Sequence, residues 1–125
     1  MNKDEPQVLV VDDEPSILSM LSVFLERKGI KSLTCESPTE ALNILRSQNI
    51  KLVLLDVNMP EITGLELLQK IMELVPSVHV IMMTGYNDIE TAEKCMTLGA
   101  KDYITKPFEF NYLETSGFAE IILSL

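Results

Sequence analysis

The sequence predicts a doubly wound α/β fold, a five-stranded parallel sheet with helices on both faces. Three apolar runs, VLVV (8–11), LVLL (52–55) and VIMM (80–83), and a shorter fourth, DYIT (102–105), read as strands buried on both sides. Segments with helical spacing separate them, and an alternation of strand and helix is the pattern of a parallel sheet covered by helices. Each run also stops at a polar residue: Asp12-Asp13, Asp56, Thr84 and Lys106. Open parallel sheets bind their ligands outside the carboxyl ends of the strands. Three carboxylates, a hydroxyl and an ammonium should therefore meet at one edge.

Taken in order, the first strand covers residues 7–12, and Pro15, suited to a first helical turn, opens helix one. Ile17, Leu18, Leu21, Phe24 and Leu25 form its apolar stripe, and Gly29 ends it. Residues 30–35 make a weaker second strand. Ser37-Pro38-Thr39-Glu40 is a capping box for helix two, which buries Ala41, Leu42, Ile44 and Leu45. Strand three spans 51–56, and the loop VNMPEITG leads to helix three, from Gly64 to Leu74, with Leu65, Leu68, Ile71, Met72 and Val75 on one side. Strand four spans 77–84. Asn87 or Asp88 caps helix four, whose face of Ile89, Ala92, Cys95 and Met96 is thin, so this helix should be the less firmly packed one. Strand five covers 101–105, and a last helix starts near Phe110. Thr115-Ser116-Gly117 are poor helix formers, which predicts a frayed or bent start to an otherwise ordinary packing stripe of Phe118, Ile121, Ile122 and Leu125.

With 125 residues, 46% of them hydrophobic, the chain suits one domain, with no room for an effector domain. No apolar stretch approaches the roughly 18–20 residues of a membrane span. The polar start MNKDEPQ is no signal peptide, so a cytoplasmic location is expected. A net charge of −9 argues against direct nucleic-acid binding and favours divalent cations or basic partners. Cys35 and Cys95 lack the spacing of a zinc site or disulfide framework and read as reduced, partly buried thiols.

The strand-end residues define a chemistry. Ionised Asp12, Asp13 and Asp56 at one edge repel one another, and such a group takes up a proton or binds a cation. Oxygen ligands suit a hard ion such as Mg²⁺, which uses one or two carboxylates and keeps several waters. The arrangement then leaves a carboxylate oxygen able to attack phosphorus, with Lys106 to neutralise phosphoryl oxygens, Thr84 to donate to one, and main-chain N–H groups at Val57, Asn58 and Gly85 to supply more. Singly, each residue has a blander reading. An Asp at a strand end is usually a turn residue, and Asp12-Asp13-Glu14 could merely favour the start of helix one. Tyr103 alone is a packing aromatic with a wet hydroxyl. His79 reads as a packing or hydrogen-bonding residue rather than a phosphate donor, and the seven methionines read as core filling. The four complementary strand ends together are what carry the site.

The pieces VLVVDDEPSI, LVLLDVNMPEITGLELL, VIMMTGYND and LGAKDYITKPF, in this order and covering the chain to about Phe110, resemble the receiver domain of two-component response regulators. The resemblance implies a flavodoxin-like strand order of 2-1-3-4-5. It implies Asp56 as phosphoacceptor, Asp13 as direct Mg²⁺ (or Mn²⁺) ligand, Asp12 as the acid holding metal-bound water, and the main-chain carbonyl of Asn58 as a further ligand. Thr84 matches the switch hydroxyl, Lys106 the phosphoryl-pairing lysine and Tyr103 the aromatic that swings inward. Pro107 matches a proline whose bond to Lys106 is cis. The implied donor is a phosphohistidine on a sensor histidine kinase or phosphotransfer protein, with acetyl phosphate as a small-molecule source. The output is a changed surface of helix four, strand five and helix five, offered to an effector or a second copy. Such a domain catalyses only its own phosphorylation and dephosphorylation. The stretch from Met83 to Phe108 is similar to receivers of enhancer-binding activators. The tail beyond Phe110 departs most from the family.

Other readings are distinguishable. A flavodoxin-like cofactor enzyme needs a Gly- or Ser/Thr-rich first loop, where this chain has Asp-Asp-Glu-Pro. An aspartyl-phosphate phosphatase usually carries a second acid two residues past its nucleophile, where this chain has Asn58. A phosphate-independent interaction domain of the same shape would have no need of the intact strand-end set. Tyr86 is expected to overhang the pocket and shield a phosphoryl group from water.

Overall fold

The computed structural model describes residues 5–115 and 117–125, with the side chain of Tyr86 outside the described set. Its elements are β1 (Val8–Val11), α1 (Pro15–Arg27), β2 (Ser32–Cys35), α2 (Pro38–Ser47), β3 (Leu52–Asp56), α3 (Gly64–Leu74), β4 (His79–Thr84), α4 (Ile89–Thr97), β5 (Asp102–Thr105), α5 (Phe110–Thr115) and α6 (Gly117–Leu123). A 3-10 turn, Tyr86–Asp88, precedes α4. The strands are all parallel and run in the order β2-β1-β3-β4-β5. This is the flavodoxin-like order that the resemblance implies.

Side chains alternate across a strand, so each strand feeds two cores. Leu9, Val11, Val53, Leu55, Val80 and Met82 face α2, α3 and α4. Val8, Val10, Leu52, Leu54, Ile81, Met83 and Ile104 face α1, α5 and α6. The helix ends follow sequence chemistry. Ser37 Oγ accepts from the Glu40 amide at 3.1 Å, and Gly29 leaves α1 at φ +75° with Ile30 donating back to the Leu25 carbonyl. Thr63 caps α3 in the same way, accepting from the Glu66 amide at 3.2 Å and donating to its carboxylate at 3.1 Å. This Thr-x-x-Glu box lies at the end of the segment that the sequence analysis assigns to a loop.

Several boundaries differ from the sequence expectation. The strands start one or two residues later than expected. The inward stripe of α3 includes Leu67, fully buried, which the expected list lacked. On α4 only Ala92 and Cys95 are buried, and Met96 is 38% exposed rather than inward-facing. The thin packing expected for this helix is thus thinner still. The last helical stretch is described on either side of residue 116 as α5 and α6, residue 116 itself lying outside the described residues. The Thr115 hydroxyl donates back to the Asn111 carbonyl at 3.0 Å. Phe24 holds both pieces: it meets Phe110 edge-on at 5.5 Å and Phe118 at 5.7 Å.

Cys35 lies on edge strand β2 and Cys95 on α4; both are free, as expected, and more fully buried than expected. Burial pushes the Cys35 thiol up to about 12 and raises that of Cys95, so neither is a ready nucleophile. His79 is exposed at the start of β4, the end of the strand opposite Thr84, so of the two readings offered for it, packing or hydrogen bonding, packing is not what the structure shows.

Gly64 shows how tightly the fold holds the loop after β3. A Cβ at this position would overlap the Asp56 carbonyl oxygen and lie 2.7 Å from Val57 Cα, both rigid main chain. Gly64→Ala is expected to destabilise by roughly 3 kcal/mol or more, because backbone rather than a flexible side chain must move. Urea unfolding with an unchanged midpoint would disprove this.

Candidate functional site

The C-terminal ends of β1, β3, β4 and β5 form one rim. Asp12 and Asp13 follow β1 directly, Asp56 and Thr84 end β3 and β4, and Lys106 follows β5. Asp12, Asp56 and Thr84 are the buried polar residues of the described chain, at 0%, 5% and 1% exposure. Carboxylate oxygens of Asp12, Asp13 and Asp56 lie within 4.8 Å of one another. The Lys106 ammonium reaches across them, 2.7 Å from Asp12 Oδ2, 3.2 Å from Glu14 Oε1 and 3.5 Å from Asp56 Oδ1. Its peptide bond to Pro107 is cis, as the resemblance implies, and its amide donates to the Thr84 carbonyl at 2.7 Å.

A pocket of about 310 Å³ opens here, lined by Asp13, Glu14, Asp56, Asn58, Gly85, Asp88 and Lys106. Larger hollows elsewhere on the surface gather no comparable set of charged groups.

Three carboxylates, of Asp12, Glu14 and Asp56, thus surround one ammonium, and their crowding shows in their protonation. Burial, then the Asp12 charge, push the Asp56 carboxyl up to about 7, against the smaller opposing pull of Lys106 and the Asn58 amide. Burial likewise raises Asp12, although Lys106 opposes it. The same carboxylates hold the Lys106 ammonium above its usual range despite its burial. Asp12 Oδ1 accepts from the Glu14 amide at 2.9 Å. Asp12 Oδ2 has the Lys106 contact as an ion pair but lacks the alignment of a hydrogen bond, so a fully buried oxygen retains unused acceptor capacity.

That orphaned oxygen, the clustered carboxylates and the absence of nitrogen or sulfur donors fit a hard divalent cation. Asp12, Asp13 and Asp56 are the side chains able to hold it. Asn58 lines the same pocket, and its amide donates to Asp56 Oδ1 at 3.3 Å.

A consequence follows for stability. Asp56 binds its proton more tightly folded than unfolded, so between the unfolded value near 4 and the folded value near 7 the native state holds more protons. Stability therefore falls as pH rises through that window. A cation on the same oxygens offsets the repulsion. Mg²⁺ at a hundred times its Kd is expected to stabilise by about 2.7 kcal/mol at pH 8 and by much less at pH 5. Thermal melts with and without Mg²⁺ at both pH values check this, and an equal Mg²⁺ shift at both would refute it.

One expectation about donors needs correction. The Val57 amide is not available to a ligand, because it donates to the Met83 carbonyl at 2.9 Å in the β3–β4 ladder. The Thr84 hydroxyl donates to the Gly85 carbonyl at 3.1 Å. Tyr103 is half-buried, pairs in register with Met82, and leans on the core beneath α4. Thr84 lies two residues beyond Met82 and so shares that face with Tyr103. The Tyr86 side chain, expected to overhang the pocket, lies outside the described residues.

Sequence reasoning missed Asp88 as a pocket residue. Its sequence position suggests only a helix cap, yet its Oδ2 accepts from Asn58 Nδ2 at 2.6 Å, joining the loops after β3 and β4. A separation of 30 residues leaves no local signal for such a contact. Tyr112 was missed as well: its hydroxyl accepts from the Thr105 amide at 3.1 Å, tying α5 to the residue before Lys106.

A 2-1-3-4-5 parallel sheet carrying an acid cluster, a threonine and a lysine on its C-terminal rim defines a receiver. The family model for the response regulator receiver domain matches residues 8–116, and the chain belongs to that family. It is 37% identical over 116 residues to the transcriptional regulatory protein ZraR of Escherichia coli K12, an alignment covering 93% of this chain and 26% of that protein. The response regulator protein TmoT of Ectopseudomonas mendocina is 35% identical over 86% of this chain and 49% of its own length. The chain therefore spans between a quarter and a half of the length of these relatives. Among solved structures, the receiver domain of NtrX from Brucella abortus superposes with a TM-score of 0.86 at 33% identity, covering 94% of this chain and 98% of that one.

Proposed function

We propose that the chain is a phosphorylation-controlled switch of a two-component system, acting in the cytoplasm. The observation that carries this is the approach of Asp12, Asp13 and Asp56 within 4.8 Å, with the Lys106 ammonium 3.5 Å from Asp56 Oδ1. Asp12, Asp13, Asp56 and the main-chain carbonyl of Asn58 would hold Mg²⁺ or Mn²⁺. When bound, the cation neutralises the acid cluster and the incoming phosphoryl oxygens.

An Asp56 oxygen attacks phosphorus. A P–O bond forms as the P–N bond of a donor phosphohistidine breaks, and the electron pair leaves on the imidazole nitrogen, which takes a proton from water. Lys106 pairs with a phosphoryl oxygen. Thr84 turns from the Gly85 carbonyl to donate to another, and Tyr103, on the same face, fills the space. The α4–β5–α5 surface then changes shape. This is a shift between two states, driven by interactions that only the phosphorylated site makes. The donor is a sensor histidine kinase or phosphotransfer protein, and the changed surface is read by an effector domain or protein or by a second copy. The net charge of −9 disfavours direct contact with nucleic acid or an anionic membrane. The domain turns over no substrate beyond making and hydrolysing its own aspartyl phosphate.

Incubation with Mg²⁺ and acetyl phosphate, followed by intact mass measurement, tests the reading. One phosphate, lost in base and mapped to Asp56, is expected. A chain that stays unmodified with both small-molecule and phosphohistidine donors would instead be a phosphate-independent interaction module.

A further inference from the structure

Asp88 stands at the N-cap of α4, yet its side chain caps nothing. An acid at that position ordinarily accepts from the second or third amide of its own helix, here Glu90 or Thr91. Its carboxylate is instead drawn to Asn58 Nδ2 at 2.6 Å, a charge-assisted distance. The backbone agrees: Asp88 sits at φ −117°, ψ 10°, not in the extended region of a capping residue, because it closes the 3-10 turn Tyr86–Asp88. The helix it should cap has a thin buried face, Ala92 and Cys95. Asn58 and Asp88 both line the acceptor pocket with Asp56.

We propose that Asp88 is a positioning residue of the acceptor pocket, holding Asn58 from the α4 side instead of capping its own helix, and that added negative charge at Asp56 moves it from Asn58 to the α4 amides. The second half rests on the proposed phosphorylation. An aspartyl carboxylate carries at most one negative charge, whereas a phosphoryl group carries nearly two and offers several acceptor oxygens. It therefore competes for the Asn58 amide and repels the Asp88 carboxylate. Released, Asp88 can cap α4 only if its ψ swings to the extended region, which opens the 3-10 turn. The pocket is in this way connected to the N-terminus of α4 by one side chain with two alternative partners.

Hydrogen exchange of the Glu90 and Thr91 amides, read by NMR, tests this in the full chain. In the wild type without phosphate these amides exchange fast, and treatment with acetyl phosphate and Mg²⁺ is expected to slow them about tenfold. Asn58→Ala, which frees Asp88, and Asp88→Ser, which can cap but is too short to reach Asn58, are expected to slow them without any phosphate. Asp88→Ala, able to do neither, should leave them fast in both conditions. Asn58→Ala exchanging like the wild type, or Asp88→Ser like Asp88→Ala, would overturn the alternative-partner arrangement. Equal slowing of wild type and Asp88→Ala by acetyl phosphate would overturn the charge-driven step. Intact mass of the same samples reports separately on Asp56: no mass gain sinks the phosphorylation reading and the charge-driven step with it, while the phosphate-free variants still decide whether Asp88 has two partners.

Discussion

Asp56→Asn is expected to abolish phosphoryl uptake and, at the same time, to make the metal-free protein more stable. The two effects share one cause. Asp56 is buried against Asp12, and its carboxyl is raised to about 7, so above that pH its charge opposes folding. Removing that charge with a side chain of the same shape should recover on the order of 2–4 kcal/mol at pH 8, from the size of the shift. The Asn58 amide still finds an oxygen on residue 56, so the loop should keep its path. The amide is not a competent nucleophile toward phosphorus, so labelling should fall below detection. The Mg²⁺-dependent rise in thermal stability should shrink with it. A variant that still takes up phosphate would place the acceptor elsewhere, and a variant less stable than wild type at pH 8 would contradict the repulsion described for the acid cluster.

Lys106→Met should have the opposite sign on stability. The ammonium is the sole cation within ion-pairing distance of Asp12 and Asp56 among the described residues. Methionine fills much of its volume but leaves two buried carboxylates with no opposing charge, which typically costs about 3–5 kcal/mol. Protonation limits the cost, so the loss should be large at pH 8 and small at pH 5, and Mg²⁺ should restore much of it. Phosphoryl transfer to Asp56 can still occur, but without the lysine the phosphorylated and free states should differ less at α4 and β5. Denaturant titrations at the two pH values check the first claim. Amide chemical-shift changes on phosphorylation check the second, and changes as large as those of the wild type would remove Lys106 from the switch.

The architecture was legible because its determinants are local. The runs ending at Asp12, Asp56, Thr84 and Lys106 are apolar enough to be buried strands, and the helices between them announce their ends with Pro15, Gly29 and the Ser37 box. The site was legible for the same reason: its residues are the last of each strand, and parallel strands bring their ends together. Helix four was harder. Its apolar face is short, so Met96 could not be assigned inward or outward from periodicity alone, and it lies exposed.

By itself the sequence determined which residues stand at the carboxyl rim and what chemistry they could perform. It did not determine which groups are already committed to other partners. The Val57 amide belongs to the β4 ladder, the Thr84 hydroxyl is turned to Gly85, and the Asp88 carboxylate is drawn from its own helix to Asn58. Hydrogen bonds between loops 30 residues apart depend on where two chain segments lie in space. Periodicity records only which face of an element is buried, so those choices were made by the tertiary structure.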